Sequence, residues 1–92
     1  MHKSVLLNES IEYLNIRPDG TYIDATLGYA GHSGEILARL ETEGFLFAFD
    51  QDIDAVTYST NKLSAIGNNF KIFHTNFKNM KDFINTNVDG IL

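Results

Sequence analysis

The stretch "YIDATLGYAGHSGEIL", residues 22–37, decides how this chain folds. An apolar run closes on Asp24, a loop of small residues from Gly28 to Gly31 follows, and apolar residues then recur at helical spacing. In a parallel α/β sheet this order places the acid and the loop at the carboxyl end of a strand, where ligands bind. A loop with few side chains lets a ligand approach the backbone, and the first N–H groups of a helix favour a negative group. The stretch therefore predicts a strand, a ligand-binding loop and a helix.

The same alternation continues on both sides of this stretch. A short amphipathic helix is predicted over residues 6–15, where Leu7, Ile11 and Leu14 fall at helical spacing, and "RPDG" ends it. Four largely apolar segments are predicted as strands: "TYIDA", "GFLFAFD", "FKIFHTN" and the start of "VDGIL". The second of these is apolar up to its final acid, which is typical of a strand buried on both faces.

Three segments between the strands carry apolar residues at helical spacing. In chain order, these sets are Ile36, Leu37 and Leu40 in residues 32–41; Val56, Leu63 and Ile66, with Gly67 and Asn68 as the helix stop; and Phe77, Met80 and Ile84. Each set predicts a crossover helix. Strands that alternate with helices predict an α/β fold with a partial doubly wound parallel sheet, helices on both of its faces, and a nucleotide-type site at the carboxyl ends of the strands.

The chain stops on the first residues of the predicted fourth strand. We therefore expect residues 1–92 to be the N-terminal, cofactor-binding part of an incomplete domain. Val88, Ile91 and Leu92 would form an apolar edge with unpaired backbone groups, and such an edge predicts self-association.

The length and composition of the chain limit the classes of protein to which it can belong. A chain of 92 residues, 43% apolar and 21% charged, has room for at most one small globular domain. It has no cysteine, so it has no disulfide and no thiolate metal site. Its apolar runs are far shorter than the roughly 18 residues of a membrane span, and its first residues lack the apolar core of a secretion signal. We expect a soluble cytoplasmic protein with no membrane partner. Proteins that bind nucleic acid across a broad face are usually basic, whereas this chain has a net charge of −5.

The second strand also ends on an acid, and this acid limits the classes of ligand that the site could bind. Asp50 can accept hydrogen bonds from both hydroxyls of a ribose, so Asp24, the loop and Asp50 outline a site for an adenosine-containing ligand with a second anionic end. The loop "GYAGHS" has Ala30 and Ser33 where a nicotinamide fingerprint has glycine, and the chain has no P-loop motif. An acid that closes the strand before the loop is more typical of S-adenosylmethionine sites. A role for Asp50 in capping the following helix stays open.

Other candidate residues have plainer interpretations. Asp52 and Asp54 are predicted as first-turn helix acids rather than metal ligands. His2, His32 and His74 lack the spacing of a metal site, so no metal is predicted.

Several of these motifs together resemble one family. "DATLGYAGHSGEIL", "FDQDIDA" and "HTNF", in this order, are similar to the ribosomal RNA small-subunit methyltransferase H family, also called MraW. The resemblance implies a Rossmann-like methyltransferase fold, here truncated at the fourth strand. It also implies S-adenosylmethionine as cofactor and N4 of a cytidine in small-subunit rRNA as target, with that rRNA or the ribosomal subunit as partner. The cofactor contacts that it implies are Ala30, Gly31 and His32 in the loop, Asp50 at the ribose and Phe77 near the adenine.

The chain departs from the family at one glycine, and the resemblance leaves two functions open. The family has two glycines where this chain has Ala30 and Gly31, and the extra methyl group costs little if the backbone angle φ is negative and more if it is positive. Phe77 could equally be a core residue.

Catalytic groups are expected beyond residue 92, so this chain alone is expected to be inactive. The alternative function is a non-catalytic nucleoside-binding or assembly module.

Overall fold

A computed structural model describes residues 11–92 of the chain. Residues 11–14 are helical, so the helix predicted over residues 6–15 is confirmed there, and the rest of that prediction up to residue 10 lies outside the described residues. The elements that follow, in chain order, are β1 (Thr21–Asp24), α1 (Gly31–Arg39), β2 (Phe45–Asp50), α2 (Ile53–Ser64), β3 (Phe70–His74), a 3-10 helix (Phe77–Asp82) and β4 (Gly90–Ile91).

The four strands form one parallel sheet in the order β3-β2-β1-β4. In its register Asp24 lies beside Ala48, and Asp50 lies beside His74. The carboxyl ends of β1, β2 and β3 therefore open at the same edge of the sheet. The predicted α/β parallel architecture is confirmed, and the two central strands carry the two acids that the sequence placed at strand ends.

Side chains alternate between two apolar layers, one on each face of the sheet. Leu46 and Ala48 of β2 pack with α1 and α2, whereas Phe47 and Phe49 pack with the 3-10 helix on the opposite face. Because both faces of β2 are covered, its sequence is apolar almost throughout, as predicted.

The buried face of α2 includes Leu63, as predicted, but its other residues differ from the prediction. Ala55, Ser59 and Leu63 are buried at four-residue spacing, whereas Ile66 is 42% exposed and Val56 is half-buried. The prediction used only the larger apolar residues, whereas two of the three buried positions of the helix carry small side chains. The predicted helix stop is confirmed: the helix ends at Ser64, and the Gly67 N–H donates to the Leu63 carbonyl over 3.0 Å.

The third crossover was predicted as a helix and is instead a six-residue 3-10 helix. The predicted apolar side chains do face the core, since Ile84 is buried and Phe77 and Met80 pack against the same layer. A spacing of three residues suits a 3-10 helix, in which residues i and i+3 eclipse each other. The asparagines and threonine of "NTN", residues 85–87, are poor helix formers that favour turns, so the helical turn is not extended.

No helix within residues 11–92 combines the length and apolar character needed to cross a membrane. In this same part of the chain, His, Asp and Glu side chains form no group of three that could hold a metal ion.

Candidate functional site at the carboxyl ends of the strands

A cleft of ≈ 270 Å³ opens where β1, β2 and β3 end. Its walls come from the residues that follow each strand, because a parallel sheet sends all three chains out at the same edge. The lining residues are Ala25, Thr26, Phe49, Asp50, Gln51, Thr75, Asn76 and Phe77. The sequence placed a site at this edge of the sheet, and two of its predicted residues, Asp50 and Phe77, line the cleft.

Asp50 is the charged group of the cleft. Its Oδ2 accepts a hydrogen bond from the Gly28 N–H over 2.9 Å, and its Oδ1 accepts one from the Asp52 N–H over 2.9 Å. An ionised carboxylate has about four acceptor positions, so each oxygen keeps one for a further donor. The half-buried side chain is thus held in a single orientation by backbone groups while it can still accept two hydroxyl groups from the cleft.

The capping role that stayed open for Asp50 belongs to Asp52. The Asp52 carboxylate accepts from the Asp54 N–H over 2.9 Å as the N-cap of α2, and Asp54 lies in the first turn of that helix. Asp54 thus lies in the first turn as predicted, whereas Asp52, also predicted for the first turn, is one residue earlier as the N-cap; both positions favour an acid at a helix start.

Phe77 packs against the core and also lines the cleft, and its contact with a cofactor stays a prediction. It is the first residue of the 3-10 helix, which begins because the Asn76 side chain caps the Lys78 N–H over 2.8 Å. Its ring meets the Phe49 ring edge-on, with centroids 5.7 Å apart, and packs against the buried layer beside Ile84. The half-buried Phe77 also lines the cleft, so an aromatic residue borders the same space as Asp50.

The loop between β1 and α1 contains two left-handed residues. Gly28 has φ 54°, and Ala30, the N-cap of α1, has φ 69° and ψ 28°. A left-handed conformation costs a residue with a β-carbon about 1–2 kcal/mol, so the alanine occupies the position where its methyl group is strained. That methyl group is fully buried against the core.

The space in front of the loop is open. A β-carbon built on Gly28 or on Gly31 would meet no other atom within 4 Å among the described residues. Gly31 is exposed and His32 is half-buried in the first turn of α1, and no side chain within residues 11–92 caps this helix start. The backbone of the loop and the first N–H groups of α1 are therefore accessible to a ligand.

Asp24 lies inside the protein and does not line the cleft. Only 1% of it is exposed; Oδ2 accepts from the Ser33 hydroxyl over 2.7 Å and Oδ1 from the Thr26 N–H over 3.2 Å. Burial raises the pKa of Asp24, and these two hydrogen bonds, followed by the nearby His32, act in the opposite direction. The carboxylate thus joins the end of β1 to the first turn of α1.

Two buried serines support the site, and the sequence pattern predicted a role for neither of them. Ser33 holds Asp24, and the Ser59 hydroxyl donates to the Gly28 carbonyl over 3.1 Å. Both serines are fully buried. The signal for Ser59 was its position between Ala55 and Leu63 on one helical face, because a polar residue on a buried face needs a specific partner.

Comparison with known proteins identifies the family and agrees with the fold. The model of the MraW methylase family matches residues 1–92. Ribosomal RNA small subunit methyltransferase H of Mycoplasma mycoides is 54% identical over 95 residues, which cover 99% of this chain and 31% of that protein. The protein of the same name from Clostridioides difficile is 45% identical, with 99% and 30% covered. This chain thus spans about a third of the length of these relatives.

Solved structures show the same fold at low sequence identity. An rRNA methylase from Streptococcus thermophilus has a TM-score of 0.80 at 21% identity, covering 99% of this chain and 54% of that one. A protein from Streptococcus mutans, solved in complex with SAH, has a TM-score of 0.74 at 22% identity, covering 96% of this chain and 49% of that one. The sheet order, the glycine-containing loop and the acid at the end of β2 accompany a family match over the whole sequence, and this chain therefore belongs to the MraW methylase family.

Proposed function

We propose that this chain is the S-adenosylmethionine-binding part of a methyltransferase that modifies small-subunit rRNA in the cytoplasm, at N4 of a cytidine. The observation that carries the proposal is the Asp50 carboxylate, which is held by two backbone N–H groups and keeps acceptor positions toward the cleft. Membership of the MraW methylase family supports the same reaction class.

The lining residues suit the adenosine half of such a ligand. Asp50 would accept hydrogen bonds from the two ribose hydroxyls, and the Phe77 ring would pack against the adenine. A cleft of ≈ 270 Å³ is slightly smaller than the range of about 300–1,000 Å³ that is usual for ligand pockets. The amino-acid end of the ligand would therefore extend beyond this cleft.

The loop and α1 suit that second end. Ala30, Gly31 and His32 form the start of α1, where free N–H groups and the helix dipole favour a carboxylate. The negative charges of Asp50 and of the chain as a whole suit a ligand that carries an ammonium and a sulfonium group. When bound, S-adenosylmethionine supplies an electrophilic methyl group to an amine that loses a proton.

We expect no methyl transfer by the 92-residue chain alone. Asp50 is the only titratable side chain that lines the cleft within residues 11–92, and the proposal uses it for the ribose. Among these residues the cleft then offers no separate group to accept the amine proton. Methyl transfer to small ribosomal subunits by the 92-residue chain would contradict this expectation.

Calorimetric titration tests the cofactor proposal. S-adenosylhomocysteine should bind, and NAD and ATP should bind far more weakly. Asp50→Asn removes one acceptor oxygen and the negative charge, so affinity should fall by about ten- to a hundredfold, from a loss of about 1–3 kcal/mol. Asp82→Asn makes the same chemical change at an exposed position at the end of the 3-10 helix, and it should leave affinity unchanged.

Each outcome of the titration has a distinct meaning. Equal affinities of wild type and Asp50→Asn would remove Asp50 from the site. If the wild-type chain binds S-adenosylhomocysteine and a family protein of full length transfers no methyl group to small ribosomal subunits, the non-catalytic binding module is the correct function.

Self-association through β4 stays a prediction. This strand is an edge of the sheet within residues 11–92, and its Ile91 side chain is 47% exposed. An apolar edge with open backbone groups favours pairing with a second copy. Light scattering should show a dimer or larger species, and a monodisperse monomer would contradict the prediction.

A further inference from the structure

Helix α2 lies behind the β1–α1 loop and contacts it through three side chains. Ser59 donates to the Gly28 carbonyl over 3.1 Å, and Lys62 donates to the Tyr29 carbonyl over 3.3 Å. The Tyr58 ring meets the Tyr29 ring edge-on, with centroids 5.2 Å apart. Of these three side chains only Ser59 is fully buried, whereas Lys62 and Tyr58 are exposed. The buried hydroxyl is the contact that water can least replace.

Gly28 is bonded at both its N–H and its carbonyl. The N–H donates to Asp50 Oδ2 over 2.9 Å, and the carbonyl accepts from Ser59. These bonds lie on either side of a left-handed α-carbon, with φ 54°. The N–H and the carbonyl belong to the two peptide planes that meet at this α-carbon, so the bonds to Asp50 and to Ser59 together restrict both φ and ψ of Gly28. The orientation of the Asp50 carboxylate is thus coupled to α2 through a single residue.

The loop needs such support because its conformation is strained. Ala30 is left-handed as well, with φ 69°, and strained backbone persists only where surrounding contacts hold it. The Ser59 hydroxyl in turn has a structural reason to keep its partner, since a fully buried hydroxyl without a hydrogen bond is unfavourable.

We propose that Ser59 is a positioning residue for cofactor binding: it fixes Gly28, and thereby holds the Asp50 carboxylate in the orientation that accepts the ribose hydroxyls. This inference rests on the proposed function, because it assumes that Asp50 contacts the ribose. Ser59 does not touch the ligand, since it is buried behind the loop and does not line the cleft.

The test compares two substitutions on the same helix. Ser59→Ala removes the hydroxyl that holds Gly28, and affinity for S-adenosylhomocysteine should fall about three- to tenfold in calorimetry, as expected for one hydrogen bond. Thr60→Ala is the matched control, because its hydroxyl donates only to the Val56 carbonyl of its own helix over 2.8 Å and is exposed. Its affinity should stay within about twofold of wild type. Ser59→Cys keeps the size and a weaker donor, and it should fall between wild type and Ser59→Ala.

A double-mutant cycle separates positioning from general stability. If Ser59 acts through Asp50, then Ser59→Ala should have little further effect on affinity in the Asp50→Asn background. The Gly28 and Asp52 amide protons, both bonded to Asp50, should also exchange faster in Ser59→Ala than in Thr60→Ala.

The outcomes distinguish this inference from the function on which it rests. Absence of S-adenosylhomocysteine binding by the wild-type chain would overturn the proposed function and, with it, this inference. Normal binding by wild type with equal affinities for Ser59→Ala and Thr60→Ala would overturn the inference alone. Should Ser59→Ala fail to fold, Ser59→Cys decides, and unchanged affinity in that variant would overturn the inference. Additive effects of Ser59→Ala and Asp50→Asn would overturn it as well.

Discussion

Replacing Ser33 by alanine should destabilise the fold by an amount that depends on pH. Its hydroxyl donates to the buried Asp24 carboxylate over 2.7 Å, and both residues have at most 1% of their surface exposed. The substitution leaves Asp24 with the Thr26 N–H, at 3.2 Å, as its hydrogen-bond donor among the described residues. A hydrogen bond to a charged group contributes about 1.5–3 kcal/mol, so the free energy of unfolding at neutral pH should fall by about 2 kcal/mol. For a domain of this size that loss corresponds to a decrease in Tm of about 8–16 °C.

The sign of the pH dependence follows from the direction of the Asp24 pKa. Burial raises this pKa above its ordinary value of 3.8, and the Ser33 hydroxyl acts in the opposite direction. Removing the hydroxyl raises the pKa in the folded state further. Above that raised pKa, Asp24 is ionised in both folded and unfolded chains, and the whole penalty is present. As the pH falls through this raised pKa toward 3.8, Asp24 becomes protonated in the folded variant, and the loss of unfolding free energy caused by Ser33→Ala should shrink.

Urea denaturation followed by circular dichroism at a series of pH values between 7 and 4 measures this difference. Subtracting the variant's free energy of unfolding from that of wild type removes the contribution of the other carboxylates. Ser64→Ala is the control, because Ser64 is exposed at the end of α2 and its substitution should change stability by less than about 0.5 kcal/mol. A Ser33→Ala penalty that is constant across the pH range, or no larger than that of Ser64→Ala, would refute the reasoning.

Two further substitutions test the loop and the start of α2. Gly28→Val should destabilise the loop by at least about 1–2 kcal/mol, because φ of Gly28 is 54°, although the space for a β-carbon is open. The variant should also lose binding of S-adenosylhomocysteine, while its circular dichroism spectrum stays native. Gly31→Ala, in the helical first turn of α1, is the control for this substitution and should fold normally. Normal ligand binding by Gly28→Val would show that the loop does not hold the cofactor. Asp52→Ala removes the cap from the Asp54 N–H and should cost about 1 kcal/mol in urea denaturation. An unchanged midpoint for Asp52→Ala would mean that the capping bond does not stabilise α2.

Local sequence pattern was sufficient for the elements that form the sheet and for the edge where the site lies. Apolar runs closed by Asp24 and Asp50, each followed by a helical pattern, predicted two parallel strands with their acids at one edge. These features depend on neighbours close in sequence, and periodicity records them directly. The type of helix in the third crossover could not be predicted from periodicity, because a spacing of three to four residues fits an α-helix and a 3-10 helix alike.

The sequence by itself therefore determined the order of the elements, the parallel sheet and the placement of Asp24 and Asp50 at strand ends. Only the tertiary structure decided what each acid does there: Asp24 turns inward to Ser33, whereas Asp50 lines the cleft and accepts from Gly28. It also decided that Ser59 holds Gly28 from 31 residues away. The physical reason is that a hydrogen bond depends on where two elements pack against each other, and residues distant in sequence meet only once the helices have docked on the sheet.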